Sequence, residues 1–169
     1  WPDVNTLYSG LNAEDRIRFS PKLDLTLYGG LGFHENSIGS EFGRRSLELF
    51  YVDVPATTSR MLVNAGASLA HHRGRFTNRV GLGFSERAPS VSEGYGFYLL
   101  NANDNYDYIG DPDMRNEGSV SVELSSTYKH GKLMLEWTAS YFHIIDYIVG
   151  KPQPALLPMN ITAAGVKVY

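Results

Sequence analysis

The sequence predicts an all-β fold, and more specifically part of an antiparallel transmembrane β-barrel. Three observations indicate this class. Apolar residues alternate with polar ones over several long segments, the connections between these segments alternate in length, and the charged residues avoid the apolar parity. Helical periodicity is convincing nowhere in the chain.

The period-two alternation defines the predicted strands. Each strand places large apolar residues on one face and polar or small residues on the other. Asn78 interrupts the apolar face of its strand near one end. About seven strands follow from this pattern, and they are Leu23–Phe33, Leu47–Val52, Met61–Leu69, Phe76–Phe84, Val120–Tyr128, Leu133–Tyr141 and Val166–Tyr169.

The connections support a membrane barrel over a soluble fold. The segments "HHRG" (71–74) and "KHG" (129–131) are short, whereas residues 34–46, 88–118 and 146–162 are long. Outer-membrane barrels have strands of about 9 to 11 residues, with short periplasmic turns at one end and long extracellular loops at the other. Soluble β-sandwiches more often have strands of about five or six residues.

The charges agree with a lipid-facing apolar parity. A charge facing lipid near the centre of the membrane costs roughly 2 to 4 kcal/mol. Glu86, however, continues the apolar parity of Phe84, so it is predicted to mark the point where that strand leaves the hydrocarbon. The charged residues within the clearest strands all fall on the polar parity, and they are Asp24, Arg79, Glu123 and Glu136.

Composition excludes several function classes. The 169 residues carry a net charge of −3 and show no basic face, so a nucleic-acid binder is not indicated. There is no cysteine, which excludes disulfides and thiolate metal sites. Ser90 and Ser92 lie near Glu93 without a Gly-x-Ser-x-Gly elbow, so we expect no enzyme.

Metal and cofactor signals are weak. Asn103, Asn105 and Asp107 have the spacing of the first ligands of an EF-hand loop, but no acid stands at the twelfth position. A loop-bound calcium ion is therefore only a weak expectation, and otherwise no cofactor is expected. His71 and His72 could not chelate one metal ion from within a strand, because adjacent strand residues point to opposite faces. They are expected instead in a solvated periplasmic turn.

Two segments resemble a known family. "GFSERAPSVSEGYG" followed by "YIGDPDMRNEGSVSVE" resembles the barrel of TonB-dependent outer-membrane receptors, and the closing "AAGVKVY" is similar to the approach to a further family strand. The resemblance covers roughly residues 76–169. The matching residues are Arg87, Ala88, Pro89, Ser90, Pro112, Asp113 and Glu117, and the departures are Glu86, Asp111, Met114 and Asn116.

This resemblance implies an active importer of scarce nutrients, built as a 22-stranded barrel with a plugged lumen. Residues 1–169 would form part of that barrel, and the plug domain would be absent from this chain. The implied partners are the TonB complex, reached through the plug, the lipid bilayer and an extracellular ligand. An iron or other metal chelate of the siderophore kind is the favoured ligand, on family frequency alone. A passive porin-like barrel and a soluble β-sandwich adhesin or lectin remain alternatives.

The segment 88–118 is the predicted ligand-facing loop. Tyrosines offer rigid amphipathic contact area, and nearby polar side chains offer recognition. Arg87, at the exit of its strand, is also expected to tie the strand end to the loop that follows it or to the opposing strand near Glu117. The candidate ligand-binding residues are Arg87, Tyr95, Tyr98, Asn103, Asp104, Asp107 and Arg115.

Overall fold

The computed structural model describes residues 3–169 and contains ten strands and two short helices within that range. In chain order the elements are β1 (Val4–Ser20), β2 (Leu23–Ile38), α1 (Glu41–Leu47), β3 (Thr57–Arg73), β4 (Phe76–Arg87), α2 (Val91–Tyr95), β5 (Leu99–Asn101), β6 (Tyr106–Ile109), β7 (Glu117–His130), β8 (Leu133–Ile145), β9 (Lys151–Pro152) and β10 (Val166–Val168).

Six long strands form one antiparallel sheet in the order β1-β2-β3-β4-β7-β8. Tight turns at 21–22, 74–75 and 131–132 join its hairpins at one end, and the long connections lie at the other end. Gly74 and Gly131 adopt φ values of +61° and +59° in two of these turns, a conformation that side chains disfavour. The all-β antiparallel fold predicted from the sequence is thereby confirmed.

The apolar parity forms one continuous face of the large sheet. The register aligns Leu25, Leu69, Val80, Leu124 and Ala139 in a row across five strands. Leu69, Val80 and Leu124 are still 39%, 40% and 46% exposed although their strands have neighbours on both sides. No second sheet covers this face within residues 3–169, which is the arrangement of a lipid-facing wall rather than of a sandwich core.

The strands are longer than predicted, and one was missed. They contain 12 to 17 residues because the pairing continues beyond the apolar runs, toward the long loops in every predicted strand and also toward the short turns in β3 and β7. β1 pairs with β2 from Val4 opposite Ile38 to Ser20 opposite Leu23. Ser9 and Asp15 lie on its apolar parity, and this mixture concealed the alternation.

The predicted strand at Leu47–Val52 is wrong. The segment contains the end of α1, whose N-cap Ser40 accepts a hydrogen bond from the backbone of Gly43 at 3.1 Å. Two ion pairs at spacing i,i+4 run along this helix, Arg45–Glu41 and Arg44–Glu48. A seven-residue helix is too short for its periodicity to be recognised in the sequence.

The expected solvated turn at His71 and His72 is also wrong, because β3 continues to Arg73. The two histidines therefore lie on opposite faces of the sheet. His72 faces the polar side, where its Nε2 lies 2.6 Å from Asp24 Oδ1 and its Nδ1 lies 3.1 Å from Thr77 Oγ1. His71 faces the apolar side.

A second, smaller sheet covers the end of the large sheet that carries the long loops. Its order is β5-β6-β10-β9, and β10 pairs with β6 in parallel. The predicted strand at Val166–Tyr169 is confirmed over Val166–Val168, but it belongs to this sheet and not to the barrel wall. We call residues 88–116 and 146–169, which build it, the cap. No helix among the described residues is long and apolar enough to cross a membrane.

Candidate ligand-binding cap

Arg87 fixes the cap to the barrel wall. It is the last residue of β4, where it pairs with Glu117 of β7. Its guanidinium donates to both oxygens of Glu117, at 2.8 and 3.1 Å, and to both oxygens of Glu93, at 2.9 and 3.2 Å. Both predicted contacts of Arg87 are therefore confirmed, the one with the opposing strand at Glu117 and the one with the following loop, where its partner is Glu93.

Glu93 also holds the start of α2. Its carboxylate accepts a hydrogen bond from the backbone of Ser90 at 2.7 Å, and its own N–H donates to the Ser90 hydroxyl at 3.3 Å, which is a capping box. Burial acts to raise the pKa of Glu93, but hydrogen bonds from Arg87 and Ser90 bring it below the ordinary value. The carboxylate is therefore charged at neutral pH and keeps both bonds.

Arg60 and Tyr51 hold the segment that leads into β7. Arg60 lies on the polar face of β3 and donates to the carbonyl oxygens of Pro112, at 2.9 Å, and of Met114. The Tyr51 hydroxyl donates to the carbonyl of Gly110 at 2.9 Å. Burial and the nearby acids raise the pKa of Tyr51 to about 12, so this donor keeps its proton across the physiological range.

Gly110 allows two parts of the first cap loop to lie against each other. Its N–H donates to the carbonyl of Gly96 at 2.7 Å, and a Cβ at Gly110 would lie 2.5 Å from the nitrogen of Gly96 and 2.6 Å from that of Tyr95. Those neighbours are backbone atoms, which cannot move aside as a flexible side chain can. The loop therefore requires glycine at this position.

Asp107 joins the two loops of the cap. Its side chain is fully buried and accepts hydrogen bonds from the backbone of Met159 at 2.9 Å, from the backbone of Asn160 at 3.0 Å, and from the Asn160 amide. The N–H of Tyr169 donates to the carbonyl of Ile109 at 3.1 Å in the same region. The two loops thus form one structural unit.

A charged cluster lies beside this junction. Lys167 Nζ lies 2.7 Å from Asp104 Oδ2 and 4.4 Å from the centre of the Tyr106 ring, and the Tyr108 hydroxyl donates to Asp104 at 2.6 Å. Hydrogen bonds from Lys167 and Tyr108 lower the pKa of Asp104, and the bond to Asp104 raises the pKa of Lys167. Both groups are therefore charged over a wide range around neutral pH.

The tyrosines of the first loop have different surroundings. Tyr95 is 3% exposed and packs with Leu47 and Val54 in a small apolar core. Tyr98 has a φ of +51°, which is uncommon for a bulky side chain, and its ring lies 5.1 Å from that of Phe97 and 5.9 Å from that of Phe50.

A cavity of about 270 Å³ opens between the two cap loops. Arg115 and Lys151 contribute cationic groups to its wall, Asp146 contributes a carboxylate, and Tyr147 and Tyr169 contribute aromatic rings. Both cationic side chains are exposed, and neither has an ion-pair partner within the described part of the chain. With two cations and one acid, the wall carries a net positive charge and suits a negatively charged ligand with aromatic or apolar surface.

The predicted ligand-binding residues therefore do not form one site. Arg87 and Asp107 form hydrogen bonds within the protein, and Tyr95 is buried. Asp104 pairs with Lys167. Asn103 is exposed, and Arg115 lines the cavity. Ligand contact by these residues stays a prediction. Lys151, Tyr147 and Tyr169 were missed because they come from the second loop, whose composition carries no signal that distinguishes it.

The metal signal at Asn103, Asn105 and Asp107 has no further support. Asp107 is occupied by Asn160, and the Asn105 side chain donates to the carbonyl of Thr162 at 2.5 Å. In residues 3–169, no group of three or more histidine, aspartate and glutamate side chains is arranged to hold a metal ion. The weak calcium expectation stays a prediction.

The fold and the cap together define a class: a membrane β-barrel wall with short turns at one end and an ordered cap at the other. A sequence model of the TonB dependent receptor-like β-barrel family matches residues 1–167, and the chain belongs to this family. Among curated proteins, none matches the chain significantly. The family consists of outer-membrane receptors and transporters rather than enzymes, and its members interact with TonB and with a ligand.

Proposed function

We propose that this chain is part of the barrel and cap of an outer-membrane receptor that imports an iron chelate of the siderophore kind. The family supports outer-membrane transport. The observation that supports the substrate class is the cavity between the cap loops, where Arg115 and Lys151 stand beside Tyr147 and Tyr169. Catecholate, phenolate and carboxylate chelates of iron carry negative charge and apolar surface, which match this wall.

The proposed mechanism is conformational and includes no covalent chemistry. The ligand would bind between the two cap loops, which Asp107 joins into one unit, and which Arg87 connects to the barrel wall. Binding would then be signalled to a plug domain, which TonB remodels to open a path through the lumen. The plug and the TonB-contacting segment are expected from the family resemblance and not from residues of this chain.

Uptake by the full-length parent receptor tests this proposal. The receptor is expressed in a Gram-negative strain that lacks its own ferric-chelate receptors, with and without functional TonB. We expect this strain to grow on ferric catecholate or ferric citrate under iron limitation only when TonB is functional. Growth that does not depend on TonB would instead identify a passive porin-like barrel.

The cavity is tested separately by equilibrium binding to purified receptor. Replacing both cations, Arg115→Gln with Lys151→Gln, is expected to weaken binding of the transported ferric chelate by about tenfold or more, because two charged hydrogen-bond donors are lost. Arg45→Gln is the matched control, since Arg45 is an exposed cation on the same side that pairs with Glu41 outside the cavity. Equal affinity of the double variant and the control would contradict this location.

A further inference from the structure

Basic residues surround the short turns of the large sheet. The three turns, with two residues on either side of each, contain five lysines and arginines and a single acid, Asp24; the basic residues are Lys22, Arg73, Arg75, Lys129 and Lys132. All five are exposed, and within residues 3–169 none forms an ion pair. Short turns of outer-membrane barrels lie on the periplasmic side, so this basic rim lies at the headgroup level of that leaflet.

A groove on the outer, apolar face of the sheet begins next to this rim. Its volume is about 360 Å³, and it crosses four strands from β3 to β8. Apolar side chains form most of its wall, with His71 at the end nearer the turns. The residues that matter for the argument are Leu69, His71, Asn78, Val80, Leu124 and Trp137.

Asn78 is one of three polar residues, with His71 and Ser126, in the row of the groove nearer the turns. It occupies the lipid-facing parity of β4, opposite Ser126 of β7, and the Ser126 hydroxyl donates to its Oδ1 at 2.8 Å. The amide oxygen is therefore engaged, while the amide N–H groups are directed at no acceptor among the described residues. An amide on a lipid-facing surface is costly unless an acceptor oxygen is supplied from outside the protein.

The groove begins one step beyond Arg73 along the sheet. Arg73 is the last residue of β3 and lies on the same face as His71 and Leu69. It does not line the groove, and along the strand it is two residues, roughly 7 Å at about 3.3 Å per residue, from His71. The groove consists of two neighbouring rows of residues across the strands: the row nearer the turns contains His71, Asn78, Ser126 and Trp137, and the row farther from them contains Leu69, Val80 and Leu124. The groove thus has a polar row next to a cationic residue and an apolar row farther from the turns.

We propose that this groove binds one anionic glycerophospholipid of the periplasmic leaflet. Arg73 and Arg75 would hold the phosphate, because guanidinium groups match phosphate geometry. The Asn78 amide would donate to an ester or phosphate oxygen, and one acyl chain would lie along Leu69, Val80, Leu124 and Trp137. Basic pockets at the membrane surface bind anionic headgroups in this way. The site is separate from the cap, and the inference does not depend on the substrate proposed above.

Native mass spectrometry of the full-length receptor in detergent tests this site, with equal amounts of phosphatidylglycerol and phosphatidylcholine added. The expected result is retention of one phosphatidylglycerol in preference to phosphatidylcholine. Arg73→Gln should reduce that preference about fivefold, which is the usual contribution of one basic side chain near an anionic surface. Asn78→Leu should reduce it as well, although it adds apolar surface to the groove.

Lys22→Gln is the matched control, because it removes the same charge at the same end of the neighbouring hairpin outside the groove. Its lipid preference should equal that of the wild type. Heat-modifiable migration in electrophoresis confirms for every variant that the barrel has folded. Equal retention of the two lipids by the wild type, or an equal loss in Lys22→Gln and Arg73→Gln, would overturn the proposal. Displacement of the lipid by a soluble acidic peptide would assign the basic rim to a protein partner and would also overturn it.

Discussion

Arg87 and Glu117 face each other at the last paired position of β4 and β7, and two hydrogen bonds of 2.8 and 3.1 Å join their side chains. Glu117 also accepts the N–H of Ile148 at 3.0 Å, so this one contact connects the barrel wall to both loops of the cap. The same Arg87 guanidinium also donates to Glu93, the capping-box residue of α2. The order of the cap therefore depends on the hydrogen bonds of Arg87 at the end of β4.

Arg87→Lys tests this dependence. A lysine carries the same charge but cannot bridge two carboxylates with a planar fork, so we expect the cap to open more easily by about 1 kcal/mol, while the barrel stays folded. Hydrogen exchange of residues 88–116 measures the effect, with β2 and β3 as internal references. Arg45→Lys, in the simple exposed pair with Glu41, should leave exchange unchanged. Unchanged exchange in Arg87→Lys would show that the contact is dispensable.

Gly110→Ala should disorder the first cap loop. The added Cβ would clash with the backbone of Gly96 and Tyr95, and overpacking of this kind costs about 1 to 3 kcal/mol. Limited proteolysis between residues 96 and 110 is the measurement. Gly94→Ala is the matched control in the same loop, because the nearest atom to its Cβ is 4.0 Å away and the residue is helical. Equal protection of the two variants would refute the close-approach argument.

Asp107→Ala distinguishes a structural role from ligand contact at this position. Removing the buried carboxylate leaves the N–H groups of Met159 and Asn160 without acceptors, which costs about 2 to 3 kcal/mol. Proteolysis near Leu156 should therefore become faster, whereas Asp113→Ala, at an exposed acid of the same loop, should have no effect. Loss of ligand binding with the second loop still protected would instead support the contact role predicted from the sequence.

The Asp104–Lys167 pair predicts a pH range for cap stability. The pKa of Asp104 is lowered, so its contribution is present above its ordinary value of 3.8 and is lost as the pH falls through the lower folded value. The pKa of Lys167 is raised, so its contribution is present below 10.5 and is lost as the pH rises through the higher folded value. Cap protection, followed by hydrogen exchange, should therefore be flat from about pH 5 to 9 and decrease at more extreme pH.

Asp104→Asn checks the acid side of that range. The variant should be less protected at neutral pH, and its protection should depend less on pH between 2 and 5 than that of the wild type, because the titrating carboxylate is gone. Asp113→Asn removes an exposed carboxylate from the same loop and should keep the wild-type profile. If cap protection in Asp104→Asn decreased on the acid side as much as in the wild type, the titration would belong to another acid. Glu93 would then be the first to test, because its pKa is also lowered.

The strands of the barrel wall were predictable wherever one parity is consistently apolar. Leu23, Met61 and Phe76 begin such runs, and the structure places all of them in the large sheet. β1 was not predicted because Asp15 and Ser9 stand among its outward residues. α1 was not predicted because seven residues are too few to show a helical period, and Leu47–Val52, of which only Leu47 is helical, was predicted as a strand. Period-two alternation is a strong signal only when the surroundings of the two faces differ strongly, as lipid and lumen do.

The contacts between the two loops of the cap could not be predicted from the sequence. The tyrosine-rich, acidic composition of residues 88–118 indicated a loop that faces a ligand, and the contact between Arg87 and Glu117 followed from parity. Composition could not predict that Asp107 is bonded to Asn160 or that Lys151 and Arg115 line the same cavity. These pairs come from loops far apart in sequence, and only packing brings them together.

The sequence by itself determined the class of fold, the lipid-facing parity and the end of the sheet at which the long loops lie. Those properties depend on local alternation and on connection length, which a linear chain displays directly. Only the tertiary structure decided which candidate residues are structural and which line a cavity. Those properties depend on contacts between distant segments, because a side chain's role is set by what surrounds it.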